Sequence, residues 1–349
     1  MKKRKWALNL LFLGAVMGAT IWGVFRGSDM DSLLKLVRSA DWRWWLLGFG
    51  LVVVFIGGES LVLHRIMGTL RTPHRLTHCF LYSFVGFFFS CITPSAGGGQ
   101  PAQVCFMKKD GINASVSVPV LILVTITYKL VLVLYGIVVF LLRPAGVMAA
   151  LEPVIWWCWL GLVLNALFVA GALVLIFRPG AVERCLRLGL RLWERLSHGN
   201  KLEQRMERLQ VWMGKYRSVA DCFQSHWGMI LRITALTVLQ RSTLFAVTYV
   251  ALRSFGIAGI SLGTAIVLQA MISLGTDLLP LPGGMGASET MFLWIFSALC
   301  GAEQVLPVLL VSRGISYYGQ LLISAVFTVA AVFLLGRHER EEVEYDRLL

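Results

Sequence analysis

TPSAGGGQPAQ (residues 93–103) and LPLPGGMGASET (residues 279–290) are the stretches whose reading decides the fold. Each follows an apolar run, carries proline and a glycine cluster, and leads into a second apolar or amphipathic run. Around them the chain of 349 residues is 57% hydrophobic and 15% charged, with a mean hydropathy of +0.73. A soluble domain carries about 25% charged residues, so the chain reads as a polytopic membrane protein. Backbone broken by Pro and Gly at membrane depth leaves polar groups that hydrocarbon cannot satisfy. It is tolerated only where protein buries it or where it lines a wet cavity. Two such breaks in corresponding halves point to a binding site between repeats. The competing reading is a pair of ordinary extramembrane turns, and topology argues against it.

The apolar runs and the basic loops fix that topology. MKKRK precedes an apolar run from Trp6 to Phe25, which reads as an uncleaved first crossing with a cytoplasmic N-terminus. Segment 26–41 has no positive excess and suits the outer side, and a second crossing runs from Trp42 to about Leu63. Further crossings are expected at Ser115–Leu142, Pro153–Phe177, Trp227–Leu252 and Leu306–Leu335, followed by a charged tail. The most basic loop is 178–226. Its first forty residues carry ten Lys and Arg against four Glu. Leu186, Leu190, Trp193 and Leu196 recur there at helical spacing, which fits an amphipathic surface helix or a solvated helical hairpin. If 76–92 crossed fully, Lys108, Lys109 and the basic loop would all lie outside, against the positive-inside rule. If instead 76–92 turns back at Gly97–Gly99, every basic loop is cytoplasmic. The same treatment of 260–300 gives a hairpin entering from outside and a cytoplasmic C-terminus. The expected fold is therefore all-α, with six full crossings and two oppositely oriented re-entrant hairpins in an inverted repeat. It forms a single membrane domain over 1–349, with halves about 42–177 and 227–335 joined by 178–226.

The net charge of +13 sits in these loops, so it points to cytoplasmic loops rather than to a nucleic-acid partner. The seven cysteines form no CxxC pair and read as buried apolar residues; the six histidines show no metal-ligand spacing. No nucleophile–base pattern, metal site or cofactor fingerprint appears.

The candidate chemistry lies in charges inside the crossings. Lys129, Arg241 and Arg313 each sit in an apolar helix, where a cation costs about 2.5–3.5 kcal/mol on insertion scales and usually has a functional reason. Each belongs to a polar stripe at helical spacing. One is Arg313, Ser316, Tyr317, Gln320, Ser324 and Thr328; the second is Thr234, Thr237, Arg241 and Thr248; the third is Thr125, Tyr128, Lys129 and Tyr135. The helix leaving each break starts inside the membrane, and its free N–H groups and positive dipole end favour an anion. The expected phosphate site, which the resemblance described below makes a lipid-phosphate site, is thus Lys129, Arg241 and Arg313. It is flanked by the loop residues Pro94, Gly97, Gly98, Gly99 and Gln100, and by Pro282, Gly283, Gly284, Gly286 and Ser288. A polar cavity of Glu59, Asp277, Glu289, Tyr317 and Gln320 completes it. The alternative is that the three cations only pair with Glu59, Asp277 or Glu289 as structural ion pairs.

TPSAGGGQPAQ, MKKDGI (107–112), LPLPGGMGASE and SRGISYY (312–318), in that order, resemble the lysylphosphatidylglycerol synthase transmembrane family, also called the flippase-like domain family. The resemblance covers nearly the whole chain. It implies a translocase-like module in a bacterial cell membrane, whose partner is a membrane phospholipid. In the multiple peptide resistance factor proteins the domain is thought to move aminoacylated phosphatidylglycerol between leaflets. Those proteins add a soluble, tRNA-dependent acyltransferase domain, which is expected to be absent here because the sequence ends 14 residues after Leu335. Gln100 stands where many relatives look acidic. Three functions stay open: a lipid flippase or scramblase, a phosphatidylglycerol lysyltransferase working with a separate synthase partner, and a coupled carrier of a small anion. A homo-oligomer is equally compatible.

Overall fold

Every described apolar run forms an α-helix, and among the described residues there is no strand. The structure, a computed structural model, describes residues 37–72, 75–93, 96–197, 202–279 and 284–335, with Lys35 and Leu281. The expected crossing at 6–25, the charged tail, Pro94, Pro282 and Gly283 lie outside the described residues.

Five stretches are long and apolar enough to cross a bilayer. They are α1 (Trp42–Thr69), α4 (Ala114–Leu142), Ala145–Phe177, α9 (Trp227–Ser254) and Ala302–Leu334. Their outer faces carry large apolar side chains, from Leu167 at 63% exposed to Trp156 at 82%. A surface of that kind is stable only against lipid, and the chain is an all-α polytopic membrane protein.

Two of these stretches depart from a single regular helix. The loop expected after Leu142 is folded: α5 (Ala145–Leu151) and a 3-10 turn (Glu152–Val154) lead into α6 (Ile155–Phe177). The last crossing starts at Ala302, not Leu306, and consists of α12 (Ala302–Arg313), a π-helical turn (Gly314–Gly319) and α13 (Gln320–Leu334). A Cβ on Gly319 would lie 2.5 Å from the Phe49 ring of α1, so glycine permits the close crossing at this wider turn.

Between the long helices lie two pairs of short ones. The first pair is α2 (Leu76–Ile92) and α3 (Gly99–Lys109). At 1.5 Å per residue they measure about 25 and 16 Å, short of the roughly 30 Å hydrocarbon core. They pack together, and Asp110, which caps α3, lies 2.6 Å from Nδ1 of His78 near the start of α2. The end of α3 therefore lies beside the start of α2. The second pair is α10 (Leu262–Thr276) and α11 (Ala287–Cys300), which pack on each other and on α5, at the opposite end of α4 from Asp110.

The packing is reciprocal between the halves. Helices α1 and α9, which open each half, make the most extensive contact in the molecule. Helix α2 of the first pair lies along α13 of the second half, and α10 of the second pair lies along α4 and α6 of the first. Small residues allow these approaches, as usual for helices in lipid. A Cβ on Gly58 would meet Gln240 Cγ at 2.7 Å, and one on Gly161 would meet the Leu274 carbonyl oxygen at 2.2 Å.

The basic segment is a hairpin of α7 (Pro179–Ser197) and α8 (Leu202–Ser225). Its arms pack together, and α8 lies on α4 and α6, where Tyr216 donates to the Leu175 carbonyl at 2.9 Å. The hairpin is thus docked rather than free. The cysteines are all unpaired, but only Cys79, Cys91 and Cys158 are buried; Cys105 and Cys185 are exposed, against the expectation of buried apolar positions.

Candidate functional site: a polar layer between two apolar cores

The apolar interior is split. One cluster gathers Ile56, Leu132, Leu162, Phe245, Leu274 and Ile315, among others; a second gathers Val62, Ile126, Val169, Ile233 and Ala331. On each long helix a polar residue falls between the two. Glu59 lies between Ile56 and Val62, Lys129 between Ile126 and Leu132, and Asn165 between Leu162 and Val169. Arg241 lies between Ile233 and Phe245, and Gln320 between Ile315 and Ala331. Arg313 lies between Val311 and Ile315 of the first cluster, while Glu59, Lys129 and Arg241, which the sequence marked on separate helices, thus share one layer.

Within it, Asp277, the cap of α10, accepts from both Lys129 Nζ and Tyr128 hydroxyl, joining the second break to α4. Lys129 is buried, with its ammonium 5.1 Å from the centre of the Phe168 ring. Arg241 is held differently. Its guanidinium lies 3.7 Å from the centre of the Tyr128 ring and 4.9 Å from that of Phe55, a cation–π seat. Its Nε is buried without a hydrogen-bond partner among the described residues. Glu59 accepts from Gln103 Nε2 at 3.4 Å, and the same amide reaches the Tyr82 carbonyl at 3.2 Å.

Arg313 Nε lies 2.8 Å from Glu289 Oε1. The other carboxylate oxygen accepts from Gly286 N at 2.7 Å and lies 3.0 Å from the Ser288 hydroxyl. Glu289 thus takes the N–H of Gly286, the N-cap residue of α11, in the manner of a capping box. Gly284 and Gly286 adopt φ of 68° and 85°, the left-handed region that favours glycine. At the first break, Gly98 N donates to Thr93 Oγ1 at 2.9 Å, Gly99 is buried against Ser90, and Gln100 donates to Thr125. Tyr317 donates to the Cys91 carbonyl at 2.8 Å, with Gln320 beside it.

The halves thus match in pattern and differ in charge. In each, a first-turn side chain of the second short helix reaches the following crossing: Gln100 to Thr125, and Glu289 to Arg313. In each, a tyrosine of that crossing reaches the end of the other half's first short helix: Tyr128 to Asp277, and Tyr317 to Cys91. The first half uses neutral groups where the second uses ions.

A cavity of 480 Å³ opens in this layer, lined by Glu59, Gly97, Gln100, Gln103, Lys129, Arg241 and Asp277 among others. Two smaller ones of 190 Å³ each adjoin it and share Ala96 with it; Gly284, Ser288 and Arg313 line one, and Arg313, Tyr317 and Gln320 the other. Ala96, at the tip of the first break, has φ of 53°. Sequence reasoning passed over Gln103, Asn165 and the Asp110–His78–Tyr82 cluster. Gln103 lay inside the first glycine stretch and was the most findable. Asp110, after two lysines, looked like any loop carboxylate.

A helical bundle of membrane-length helices around a charged, hollow centre defines a polytopic membrane protein with a polar intramembrane layer. The chain belongs to the family described as the lysylphosphatidylglycerol synthase TM region, whose family model matches residues 6–324. That membership gives it a membrane-lipid-related role. No curated protein matches the chain significantly.

The glycines make the first testable point. A Cβ on Gly98 would lie 2.5 Å from Thr93 Cγ2, and Gly284 needs positive φ. If the breaks shape a path for lipid, Gly98→Leu and Gly284→Leu reach the membrane but lose lipid transfer in proteoliposomes. Normal rates in both would mean that the breaks are plain turns.

Proposed function

We propose that the protein moves an anionic, phosphate-bearing lipid between leaflets, with the phosphate held in the polar layer by Arg241 and by Lys129 or Arg313. The observation that carries this is the 480 Å³ cavity between the two breaks, where the half-buried Arg241 guanidinium is seated on aromatic rings rather than on a carboxylate. A guanidinium in that setting offers a planar fork to phosphate oxygens. The short helix pairs act as re-entrant hairpins of opposite orientation and the halves as an inverted repeat, with both termini cytoplasmic. The return of Asp110 to His78 and the reciprocal packing support this. No aminoacyl transfer is assigned to these residues, because a tRNA cannot reach a layer enclosed by membrane-length helices.

Topology is open to test with single cysteines in a cysteine-free background. Position 146 should react with an impermeant thiol reagent on intact cells, and positions 108 and 217 only after lysis. Labelling at 108 from outside would overturn the hairpin reading. Reconstituted protein should transfer fluorescent phosphatidylglycerol between leaflets and take up no labelled inorganic phosphate. Saturable phosphate uptake without lipid transfer would favour a small-anion carrier instead.

A further inference from the structure

We propose that Glu59 is a proton-binding site linked to the anion site, so that each phosphate-bearing lipid crosses together with one proton. This rests on the lipid-transfer reading above. Glu59 sits in the polar layer of α1, 8% exposed, and lines the same cavity as Arg241. It differs from the other two carboxylates of the layer. Asp277 touches Lys129 and Glu289 touches Arg313, whereas Glu59 forms no ion pair among the described residues.

Its surroundings suit a group that changes charge. From α3 it faces Gln103, and from α9 the Gln240 side chain packs against the adjacent Gly58. A primary amide donates to a carboxylate through its NH2 and accepts from a carboxylic acid through its oxygen, so it can serve both forms. The charged and titratable groups facing Glu59 across the cavity are Arg241 from α9, Tyr128 and Lys129 from α4, and Asp277 from the second break. From α2 come only Gly86, Phe87 and Ser90, and from α13 only Gln320. Lys129 and Asp277 neutralise each other, which leaves Arg241 as the counter-charge of Glu59 across the cavity.

Anion and carboxylate therefore share one cation. When a phosphate takes Arg241, an ionised Glu59 is left facing a second negative charge in a poorly solvated space. Protonation of Glu59 removes the repulsion, so bound anion and bound proton favour each other, and the linkage is reciprocal. A lipid with one negative charge then crosses as a neutral pair. Its distribution follows the pH gradient and ignores the membrane potential.

The test uses the full chain in phosphatidylcholine vesicles with a trace of fluorescent phosphatidylglycerol. With the interior one pH unit more alkaline, the inner-to-outer ratio of the probe should rise by about tenfold, because one proton per lipid ties the two ratios together. In Glu59→Gln the ratio should not follow the gradient. A second measurement needs no transport. Adding short-chain phosphatidylglycerol to purified protein in weak buffer should take up about one proton per lipid bound, and none in Glu59→Gln. Transfer by the wild type with a ratio indifferent to pH overturns the coupling and leaves lipid transfer standing. Absence of transfer at every gradient overturns the transport reading itself. Binding without proton uptake overturns the role of Glu59 alone.

Discussion

Arg313→Ala is expected to lose about 3–5 kcal/mol of stability, the cost of stranding a buried charge, and nearly all lipid transfer. Two separate reasons lie behind the two losses. The stability loss comes from Glu289, which is buried and whose Oε1 is 2.8 Å from Arg313 Nε. The transport loss comes from the cavities that Arg313 lines beside Gly284 and Ser288. Arg313→Ala/Glu289→Gln removes the stranded carboxylate and should restore most of the melting temperature in detergent. It should not restore transfer, because the phosphate ligand is still missing. Arg313→Lys keeps the charge and the fold but should lose much of the transfer. A guanidinium can hold Glu289 through Nε and a phosphate through its terminal nitrogens, and an ammonium cannot reproduce that fork. If the double variant regained transfer as well as stability, Arg313 would be a structural counter-ion and no more.

The second large effect is expected at the contact that ties the halves together. Asp277→Asn leaves Lys129 buried without its carboxylate, and Lys129→Met leaves Asp277 without its ammonium, so each should cost about 3–5 kcal/mol. The pair replaced together by neutral residues of similar volume should regain most of that, since such replacements are often neutral or stabilising. A thermal-unfolding double-mutant cycle reads the coupling directly. Additive losses would mean that Lys129 and Asp277 are not partners. Transfer should stay low in the double variant, because Tyr128, the seat of Arg241, also bonds to Asp277. Loss of that bond loosens the ring on which the guanidinium lies.

Much of this was legible in the sequence because lipid makes charge expensive. Lys129, Arg241 and Arg313 stood out in apolar runs, and the glycine breaks stood out because hydrocarbon does not tolerate such backbone. The positive-inside rule then implied hairpins, and the contact of Asp110 with His78, which puts the end of α3 beside the start of α2, could not be read from it. Pairing was harder to read. Asp277 lies 148 residues from Lys129, and no local pattern says which cation it meets. Sequence spacing placed Glu289 in the first turn of α11, but that it both takes the Gly286 N–H and meets Arg313 shows only in the packed structure. The π turn at Gly314–Gly319 was not visible either. Helical spacing from Arg313 still placed Tyr317, Gln320, Ser324 and Thr328 on an inward face, and all four are buried. The split of the interior into two apolar clusters is a property of the packed bundle that no single helix displays.

The central claim is that a lipid phosphate binds between the two breaks. An experimental structure of the protein in nanodiscs rich in phosphatidylglycerol tests it most directly. Phosphate density is expected within about 3.5 Å of the Arg241 guanidinium, between Ala96–Gly97 and Gly284–Ser288, with Lys129 or Arg313 as the second contact. Head groups confined to the outer surface of the bundle, with Arg241 still seated on Tyr128 and no phosphate in the cavity, would contradict it.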